Sequence, residues 1–346
     1  MAKDNVTKYQ VRRYGCFGCP IACGGVVTVP EGPYQVTEGR KPEYETLASF
    51  GPMCLNTNVE SIIKANDICD RYGIDTISAG TVIAFAMECY ESGLIGEKET
   101  GGIELTWGNA SAIVAVLEKM AKREGFGAVL ADGVQRAAER IGRGSDKCAI
   151  HVHGQEPGYH DPRLNPLRGL GYIASPRPGR HGDGFASIRL DTEKSLGPYP
   201  EIKAPEGGSE YERRGRIHAI AGSYMQTFSD SGMCQYAISS GSNFPLVDFI
   251  SAVTGWDFGA AEAITTGRRI QTLRQAFNIR EGLSAQGFRL PDRIAKPPSM
   301  GPYAGRSIDF DALRAAYYAE MEWDIESGCP SEVCLSKLGL EELVGH

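Results

Sequence analysis

The sequence has no hydrophobic run long enough to cross a bilayer, and its first residues lack the pattern of a signal peptide. The longest charge-free apolar stretch, residues 76–87, is shorter than the ~20 residues that a transmembrane helix needs. Residues 1–5 are polar and provide no apolar core for a signal peptide. These absences predict a cytoplasmic protein that does not associate with membranes.

The sequence also lacks an excess of positive charge. Lysine and arginine number 36 against 43 aspartates and glutamates, which gives 346 residues a formal net charge of −7. An acidic surface repels nucleic acids and anionic lipids, so neither is expected as a partner. Hydrophobic residues at 42% and charged residues at 23% are typical of a globular protein, and the length predicts two domains.

Hydrophobic periodicity predicts a mainly α fold with long irregular loops. Apolar residues recur every three or four positions in several segments that begin with a capping residue or end near a glycine. The predicted helices are a segment from Asn58 to Gly73, Ser78–Tyr90, a segment that begins at Asn109, Val129–Ile141, and segments around Ala219, Phe249, Ala260–Phe277 and Phe310–Glu322. Strand patterns are scarce, and Val26–Val29 and Ala149–Val152 are the best candidates. We predict two helical domains, 1–155 and 156–346.

Two tracts rich in proline and glycine interrupt the helical pattern. They span His151–Gly184 and Leu196–Gly208, and we predict irregular chain in both. Because binding and catalytic residues are frequent in such loops, the first tract is a candidate lining for a site.

The strongest local motif is a run of three cysteines. Cys16, Cys19 and Cys23 follow a C-x2-C-x3-C spacing among glycines, which allow the backbone to curl so that three thiolates face one point. This donor set favours an iron–sulfur cluster over a closed zinc site or a redox dithiol. A cluster needs a fourth ligand, and Cys234 is the best candidate because it lies in a polar turn, whereas Cys54, Cys69, Cys89 and Cys148 lie in apolar segments.

Several motifs together resemble the aldehyde ferredoxin oxidoreductase family. They are GCFGCPIACG (15–24), PEYETL (42–47), YGIDTISAG (72–80), DPR (161–163), FNIREG (277–282) and an ending that runs from WD (323–324) to LGL (338–340). The resemblance extends from about residue 10 to the C-terminus. It implies the two helical C-terminal domains of tungsten- or molybdenum-containing bis-pterin enzymes that also hold one [4Fe–4S] cluster.

The resemblance implies a set of cofactor ligands. Cys16, Cys19, Cys23 and Cys234 match the cluster cysteines. Residues that match pterin-binding positions are Asp70, Gly73, Ile74, Asp75, Arg177, Asp230 and Met233, and the family also implies a Mg²⁺ ion that bridges the pterin phosphates. The second pterin motif departs from the family because Ser229 stands where its aspartate belongs, and Asp230, the residue expected to take over that contact, lies one position too close to Cys234. On spacing alone, the first motif is more typical of a solvated helix end with a capping glycine.

Two residues match acid–base positions of the family. Glu45 corresponds to a glutamate beside the metal, and His181 corresponds to a histidine of the substrate pocket. A carboxylate and an imidazole are suited to moving the protons that aldehyde oxidation releases. His160 lies beside a family motif and is a weaker candidate for the pocket. Without the resemblance, Glu45 reads as a surface acid and His181 as a plain loop histidine.

The resemblance implies oxidation of aldehydes to carboxylic acids with ferredoxin as electron acceptor. Family members also carry an N-terminal β domain that supports the bis-pterin, so we expect a separate chain or a missing segment to supply it, within a homo- or hetero-oligomer. One alternative is the catalytic subunit of an aromatic acyl-CoA reductase of the same family. Others are an iron–sulfur electron-transfer subunit or fragment without its own pterin, and a zinc-stabilised helical interaction protein.

Overall fold

The computed structural model describes residues 3–193, 195–196, 198–236 and 244–343 of the chain. Contacts between Cα atoms divide the chain into two compact units, Met1–Tyr159 and His160–His346. Both units are mainly helical, which confirms the predicted fold class. The predicted assignment of functions to domains 1–155 and 156–346 stays a prediction.

The first unit combines a small sheet with a helical bundle. Its strands are β1 (Gln10–Tyr14), β2 (Gly24–Val29) and β3 (Val36–Arg40). Its helices are α1 (Lys3–Thr7), α2 (Tyr44–Phe50), α3 (Val59–Tyr72), α4 (Thr76–Glu91), α5 (Glu97–Thr100), α6 (Ala110–Lys122), α7 (Phe126–Leu130) and α8 (Val134–Ile141). Short 3₁₀ turns lie at Pro52–Cys54 and Ser145–Cys148.

The sheet is antiparallel with the order β1-β2-β3, and it packs against helix α3. Val27, Val29 and Val36 form a small core with Ile63 of α3. The central strand β2 contains the predicted strand Val26–Val29, whereas both outer strands were missed because their side chains are mostly exposed and polar.

Helix α4 lies at the centre of the larger core of this unit. Residues Ala79 to Met87 are all buried, and only Thr81 among them is neither apolar nor glycine. They contact apolar side chains of α2, α6 and α8. The predicted helices at 58–73, 78–90 and from Asn109 are confirmed, and Asn58 and Asn109 each cap the following helix by accepting a hydrogen bond from a backbone amide.

The second unit is built around two long helices. Its helices are α9 (Pro166–Ala174), α10 (Asp183–Glu193), α11 (Glu210–Asp230), α12 (Leu246–Thr254), α13 (Ala260–Arg280), α14 (Asp292–Ala295), α15 (Phe310–Glu320) and α16 (Glu332–Lys337). A hairpin joins β4 (Ser195–Leu196) and β5 (Tyr199–Lys203), and 3₁₀ turns lie at Ala285–Gly287 and Glu341–Leu343. Helix α11 packs against α9, α10, α13 and α15, which makes it the central element.

Four local expectations were wrong. The single helix Val129–Ile141 is two helices, because Gly133 adopts a left-handed φ of 90° between them. Helix α9 lies inside the tract predicted to be irregular, with Pro166 in its first turn, where proline is tolerated. The hairpin of β4 and β5 lies in the second such tract, and Ala149–Val152 contributes only one bridge, between Val152 and Gln155.

Among the described residues, no helix combines the length and hydrophobicity that a membrane span requires.

Candidate functional site

The three clustered cysteines lie in the connection of a β-hairpin. Strands β1 and β2 pair up to Tyr14 and Gly24, so the chain between them must reverse within nine residues. The Arg13 guanidinium donates hydrogen bonds to the backbone oxygens of Ile21 and Ala22 at 3.0 to 3.3 Å. The sheet therefore closes both ends of the cysteine loop.

Backbone geometry explains the glycines of this loop. Gly18 adopts a left-handed φ of 67°, and a Cβ atom on Gly15 would lie 2.9 Å from the backbone oxygen of Cys19. The Cys19 amide donates to the Cys16 oxygen at 2.9 Å, which forms a tight turn between the first two thiols. Cys16 and Cys23 are exposed and Cys19 is half-buried, so soft thiolate donors are accessible within one short loop. This donor set fits an iron–sulfur cluster.

The buried cysteines have a different environment. Burial raises the pKa of the Cys54, Cys69 and Cys89 thiols to about 12. They are held as neutral thiols and pack as small hydrophobic side chains. Cys234, the predicted fourth ligand, is exposed in the second unit, four residues after the end of α11.

The motif Asp70 to Asp75 forms the junction of two helices. Helix α3 ends at Tyr72, Gly73 adopts a left-handed φ of 67°, and the Asp75 carboxylate caps α4 by accepting from the Ser78 amide at 2.9 Å. The amide of Ile74 donates to the Cys69 oxygen at 2.9 Å, as in a helix C-cap. The spacing of this motif therefore has a structural role whether or not a cofactor binds.

The Asp70 carboxylate lies on the last turn of α3. Asn66 donates to one of its oxygens at 3.2 Å, and the Arg40 guanidinium lies 3.6 Å from the other. Burial raises the pKa of Asp70, while the charge of Arg40 acts in the opposite direction.

Glu45 lies in the first turn of α2, and one of its carboxylate oxygens accepts a hydrogen bond from the Tyr159 amide at 2.8 Å. The Tyr159 hydroxyl is held in turn by Thr81 at 2.8 Å and by the Ile77 oxygen at 2.9 Å. Both anchoring residues belong to α4. Glu45 is therefore half-buried and oriented by the core of the first unit, unlike a solvated surface acid.

In the second unit, His181 lies beside His160. Their ring centroids are 5.0 Å apart, and Phe185 contacts both rings edge-on at 6.0 and 6.2 Å. The Arg168 guanidinium stacks over Phe185 at 4.1 Å. The structure thus brings together two imidazoles that the sequence separates by 21 positions, and it strengthens the weaker candidate, His160.

Arg177 lies in the loop between α9 and α10. Its guanidinium donates to the side-chain oxygen of Gln226 at 3.2 Å, and its amide donates to the Ser175 hydroxyl at 3.3 Å. Asn278 of α13 fixes the same loop by donating to the Pro176 oxygen at 2.7 Å. The FNIREG motif therefore has a positional role, since it holds the loop that carries Arg177.

Asp230 is the last residue of α11, and its carboxylate lies 3.5 Å from the Arg274 guanidinium of α13. Asp230 and Met233 line a cavity of about 470 Å³ whose other walls come mostly from α12, the loop that follows it and the first half of α13. Sequence reasoning placed both residues in a polar turn. In fact α11 extends through Asp230, and the turn begins only at Ser231.

Sequence reasoning missed Tyr159, Gln226 and Arg274, each of which contacts a predicted site residue. Tyr159 lies in a proline-rich tract, and Gln226 and Arg274 lie within the two long helices α11 and α13. Their positions relative to Glu45, Arg177 and Asp230 depend on tertiary packing, and no short motif contains them.

Comparison with protein families gives a match over almost the whole chain. The model of "aldehyde ferredoxin oxidoreductase, domains 2 & 3" matches residues 1–340. Among curated proteins, the tungsten-containing aldehyde ferredoxin oxidoreductase of Pyrococcus furiosus is 33% identical over 338 residues, which are 97% of this chain and 54% of the relative. The aliphatic sulfonate oxidoreductase, WOR-like subunit, of the same organism is 28% identical over 94% of this chain and 50% of the relative. The chain thus spans about half the length of these relatives.

The fold also matches a solved structure. A chain of the active site complex BamBC of benzoyl coenzyme A reductase, in complex with 1,5-dienoyl-CoA, superposes with a TM-score of 0.79 and 21% sequence identity. The match covers 99% of this chain and 56% of that chain, and it shows a shared fold. The family match over residues 1–340 establishes that this chain belongs to the aldehyde ferredoxin oxidoreductase family, in the part that comprises domains 2 and 3.

Proposed function

We propose that this chain is the cluster- and substrate-binding part of an enzyme that oxidises aldehydes to carboxylic acids and passes the electrons to ferredoxin. The observation that carries the proposal is the hairpin loop with three accessible thiols, in a chain whose curated relatives include tungsten-containing aldehyde ferredoxin oxidoreductases. A structural zinc protein would give Glu45 and His181 no reason to be held in ordered, half-buried positions.

The ligands follow from the predicted set. Cys16, Cys19, Cys23 and Cys234 would hold a [4Fe–4S] cluster. The residues that would bind a tungsten or molybdenum bis-pterin are Asp70, Gly73, Ile74, Asp75, Arg177, Asp230 and Met233. When bound, these groups supply two-electron chemistry that side chains lack. The bis-pterin, with its Mg²⁺, would be shared with the half of the family's length that this chain does not span.

Glu45 and His181 would accept and relay the protons that the reaction releases. Conversion of an aldehyde and water into a carboxylic acid releases two electrons and two protons. The Glu45 carboxylate is oriented by the Tyr159 amide and is suited to accept a proton from the attacking water. The His181 imidazole is flanked by His160 and Phe185, so it can hold or relay a second proton in a site that is partly shielded by an aromatic ring.

Metal analysis of anaerobically purified protein tests the cluster. We expect about four irons per chain with stoichiometric tungsten or molybdenum, and a fall in iron in Cys19→Ser. Cys329→Ser is the matched control because Cys329 is also exposed but lies outside the motif, and its iron content should equal that of the wild type. Zinc in place of iron would refute the redox function. Iron without either heavy metal would favour an electron-transfer subunit without its own pterin.

Turnover tests the acid–base pair. Glu45→Gln and His181→Asn should each lower turnover by about 10²- to 10⁴-fold while iron and tungsten contents stay unchanged. Glu43→Gln is the control, since Glu43 is exposed next to the same helix. Normal turnover in both site variants would remove these residues from the mechanism.

The alternative function is reduction of an aromatic acyl-CoA. It is favoured by the fold match to the benzoyl coenzyme A reductase complex, which covers 99% of this chain. Assays of the same preparation with an aldehyde and oxidised ferredoxin, and with benzoyl-CoA and a low-potential reductant, distinguish the two. Activity only in the second assay would replace our proposal.

A further inference from the structure

Another cavity of about 470 Å³ lies in the first unit, and none of its lining residues is a predicted site residue. It is bordered by α5, the last turn of α6, α7 and the C-terminal end of α8 with the turn that follows it. Its apolar walls are formed by Ile95, Phe126, Val129 and Ile141. A cavity of this volume with mainly apolar walls is typical of a site for a small organic molecule.

Most of the charged side chains at this cavity are basic. Glu99 is acidic and four lining residues are basic, which gives the lining a net charge of +3; the four are Lys98, Lys119, Arg140 and Arg143. The chain as a whole has a net charge of −7. Because positive charge beside apolar walls attracts anions, the cavity favours an anionic ligand although the protein is acidic.

The two arginines hold the walls of the cavity in place. The Arg143 guanidinium donates to the Leu94 backbone oxygen at 2.7 Å and to the Glu99 carboxylate at 3.3 Å. Arg143 does so from a left-handed backbone conformation with a φ of 56°, which an arginine rarely adopts. Arg140 donates to two backbone oxygens in the last turn of α7 at 2.9 and 3.1 Å. These bonds connect the elements around the cavity, so its walls are fixed without a ligand.

The two lysines differ from the arginines. In the described part of the chain, no carboxylate lies within ion-pair distance of Lys98 or Lys119. Lys98 is exposed and Lys119 is half-buried. Close packing fixes the position of Lys119, because Gly127 of α7 lies against the Lys119 backbone with no room for a Cβ atom. Both ammonium groups can therefore pair with the negative group of a ligand in the cavity.

We propose that this cavity binds an organic carboxylate with an apolar body, such as a medium-chain fatty acid. The carboxylate pairs with the ammonium groups of Lys98 and Lys119, and the apolar body packs against Phe126, Val129 and Ile141. Inorganic phosphate would leave these walls exposed to water, and a neutral alcohol would leave both charges unpaired. The site lies apart from the proposed catalytic residues and does not rest on the proposed function.

Titration calorimetry of the full chain with octanoate at low ionic strength tests the charged part of the site. The wild type should bind octanoate, and the double variant Lys98→Gln/Lys119→Gln should raise the Kd about tenfold. Lys122→Gln/Lys147→Gln is the matched control, because it removes the same charge from exposed lysines that do not line the cavity, and its Kd should stay unchanged. Absence of octanoate binding by the wild type, or equal binding by the first double variant, would overturn the proposal.

Two further titrations test the apolar part of the site. Octanol has the same chain as octanoate without the charge, so it should bind the wild type about tenfold more weakly and bind Lys98→Gln/Lys119→Gln as it binds the wild type. Val129→Phe places a ring in the cavity and should weaken binding of both molecules. Because Val129 is only half-buried, a melting temperature within a few degrees of the wild type is expected and shows that the variant is folded. Unchanged binding by Val129→Phe would place octanoate elsewhere.

A variant of the proposed catalytic site separates this cavity from the other place where octanoate could bind. If the proposed function holds, a carboxylate is also the product of the reaction and can occupy the catalytic site. Glu45→Gln should leave the Kd for octanoate unchanged, and a raised Kd would move the ligand to the catalytic site and overturn the proposal. Because calorimetry needs no turnover, failure of the aldehyde assay would refute the proposed function and leave this test intact.

Discussion

Helices α4 and α11 are the central elements of their respective units, yet α11 buries several polar side chains among its apolar ones, whereas α4 buries only one, Thr81. Helix α4 packs aliphatic residues such as Val82, Ile83 and Met87 on nearly every side. Helix α11 buries His218, Gln226 and other polar side chains along much of its length. The first helix is stabilised mainly by removal of apolar surface from water, and the second depends in part on hydrogen bonds.

This difference shows how each unit orients its own candidate site residues. Helix α4 provides a rigid core that orients Glu45 through the hydroxyl contacts of Tyr159. Helix α11 places Gln226 against the Arg177 loop and Asp230 against α13. A polar interior contributes less to stability than an apolar one unless every buried group is hydrogen-bonded.

The largest effect is expected in the α4 core. Ile83 is completely buried, and Ile83→Ala removes apolar contacts and leaves a cavity. We expect a loss of about 3 kcal/mol in the free energy of unfolding, measured by urea denaturation. Val11→Ala is the control because Val11 is 66% exposed, and it should cost less than about 0.5 kcal/mol. A loss below about 1 kcal/mol for Ile83→Ala would show that α4 is not the main source of stability.

We expect the next largest loss of stability from a substitution at the contact between α4 and α2. A Cβ atom on Gly80 would lie 2.5 Å from the Cβ and Oγ atoms of Ser49, so Gly80→Ala must displace α2. We expect a loss of about 2 kcal/mol in the free energy of unfolding. Because α2 carries Glu45, turnover should fall as well. Ser49→Gly in the same chain removes the two nearest obstructing atoms but leaves the Ser49 backbone carbon at 2.9 Å, so it should restore part of both losses. No recovery would contradict this account.

Substitutions among the buried polar side chains of α11 should destabilise the protein through lost hydrogen bonds, unlike those in the apolar core of α4. His218 is buried, and its Nδ1 atom shares a hydrogen bond of 2.8 Å with the buried Ser187 hydroxyl. His218→Leu should reduce the free energy of unfolding by about 1.5 kcal/mol, because it removes this partner from a buried hydroxyl. The double variant His218→Leu/Ser187→Ala should be more stable than the single one, as judged by urea denaturation. If the losses in unfolding free energy of the two single variants simply add in the double variant, loss of the hydrogen bond does not explain the effect of His218→Leu.

We expect the smallest effect on stability from the ion pairs that Asp132 forms with Arg123 and Arg140 in the first unit. The Arg123 and Arg140 guanidinium groups hold the pKa of Asp132 at about 2, below its ordinary value of 3.8. A depressed pKa contributes stability that is present above the ordinary value and is lost as the pH falls from about 4 through about 2. Asp132→Asn should therefore narrow the difference in unfolding free energy between pH 5 and pH 2.5. An unchanged pH dependence would show that the pairs contribute nothing.

Local signals in the sequence were sufficient to predict the elements whose structure depends on local contacts. The helix from Asn58 to Gly73 was predictable because a capping side chain begins it and a left-handed glycine ends it. The cysteine loop was recognisable because its ligand spacing is compact. Strand β1 was not predictable, since residues such as Arg12 and Arg13 have no alternating pattern and pair only because β2 lies beside them.

The same distinction between local and tertiary contacts applies to the site residues. The Asp70–Asp75 spacing could be read as a helix junction or as a ligand motif, and the structure shows that it forms the junction. The contacts of Gln226 with Arg177 and of Arg274 with Asp230 could not be predicted from sequence. In each pair the two residues lie more than 40 positions apart in the chain and meet only through tertiary packing. Burial of a polar atom without a partner is a property of tertiary structure alone.

The hairpin that presents the cysteines has a consequence for the order of assembly. Strands β1 and β2 are joined by only nine residues, so their pairing is a local event that needs little loop-closure entropy. The helices of the second unit pair over much longer separations and should form later. Three of the four proposed cluster ligands therefore lie in a locally formed hairpin, whereas the fourth, Cys234, belongs to a unit whose packing depends on contacts between distant parts of the chain.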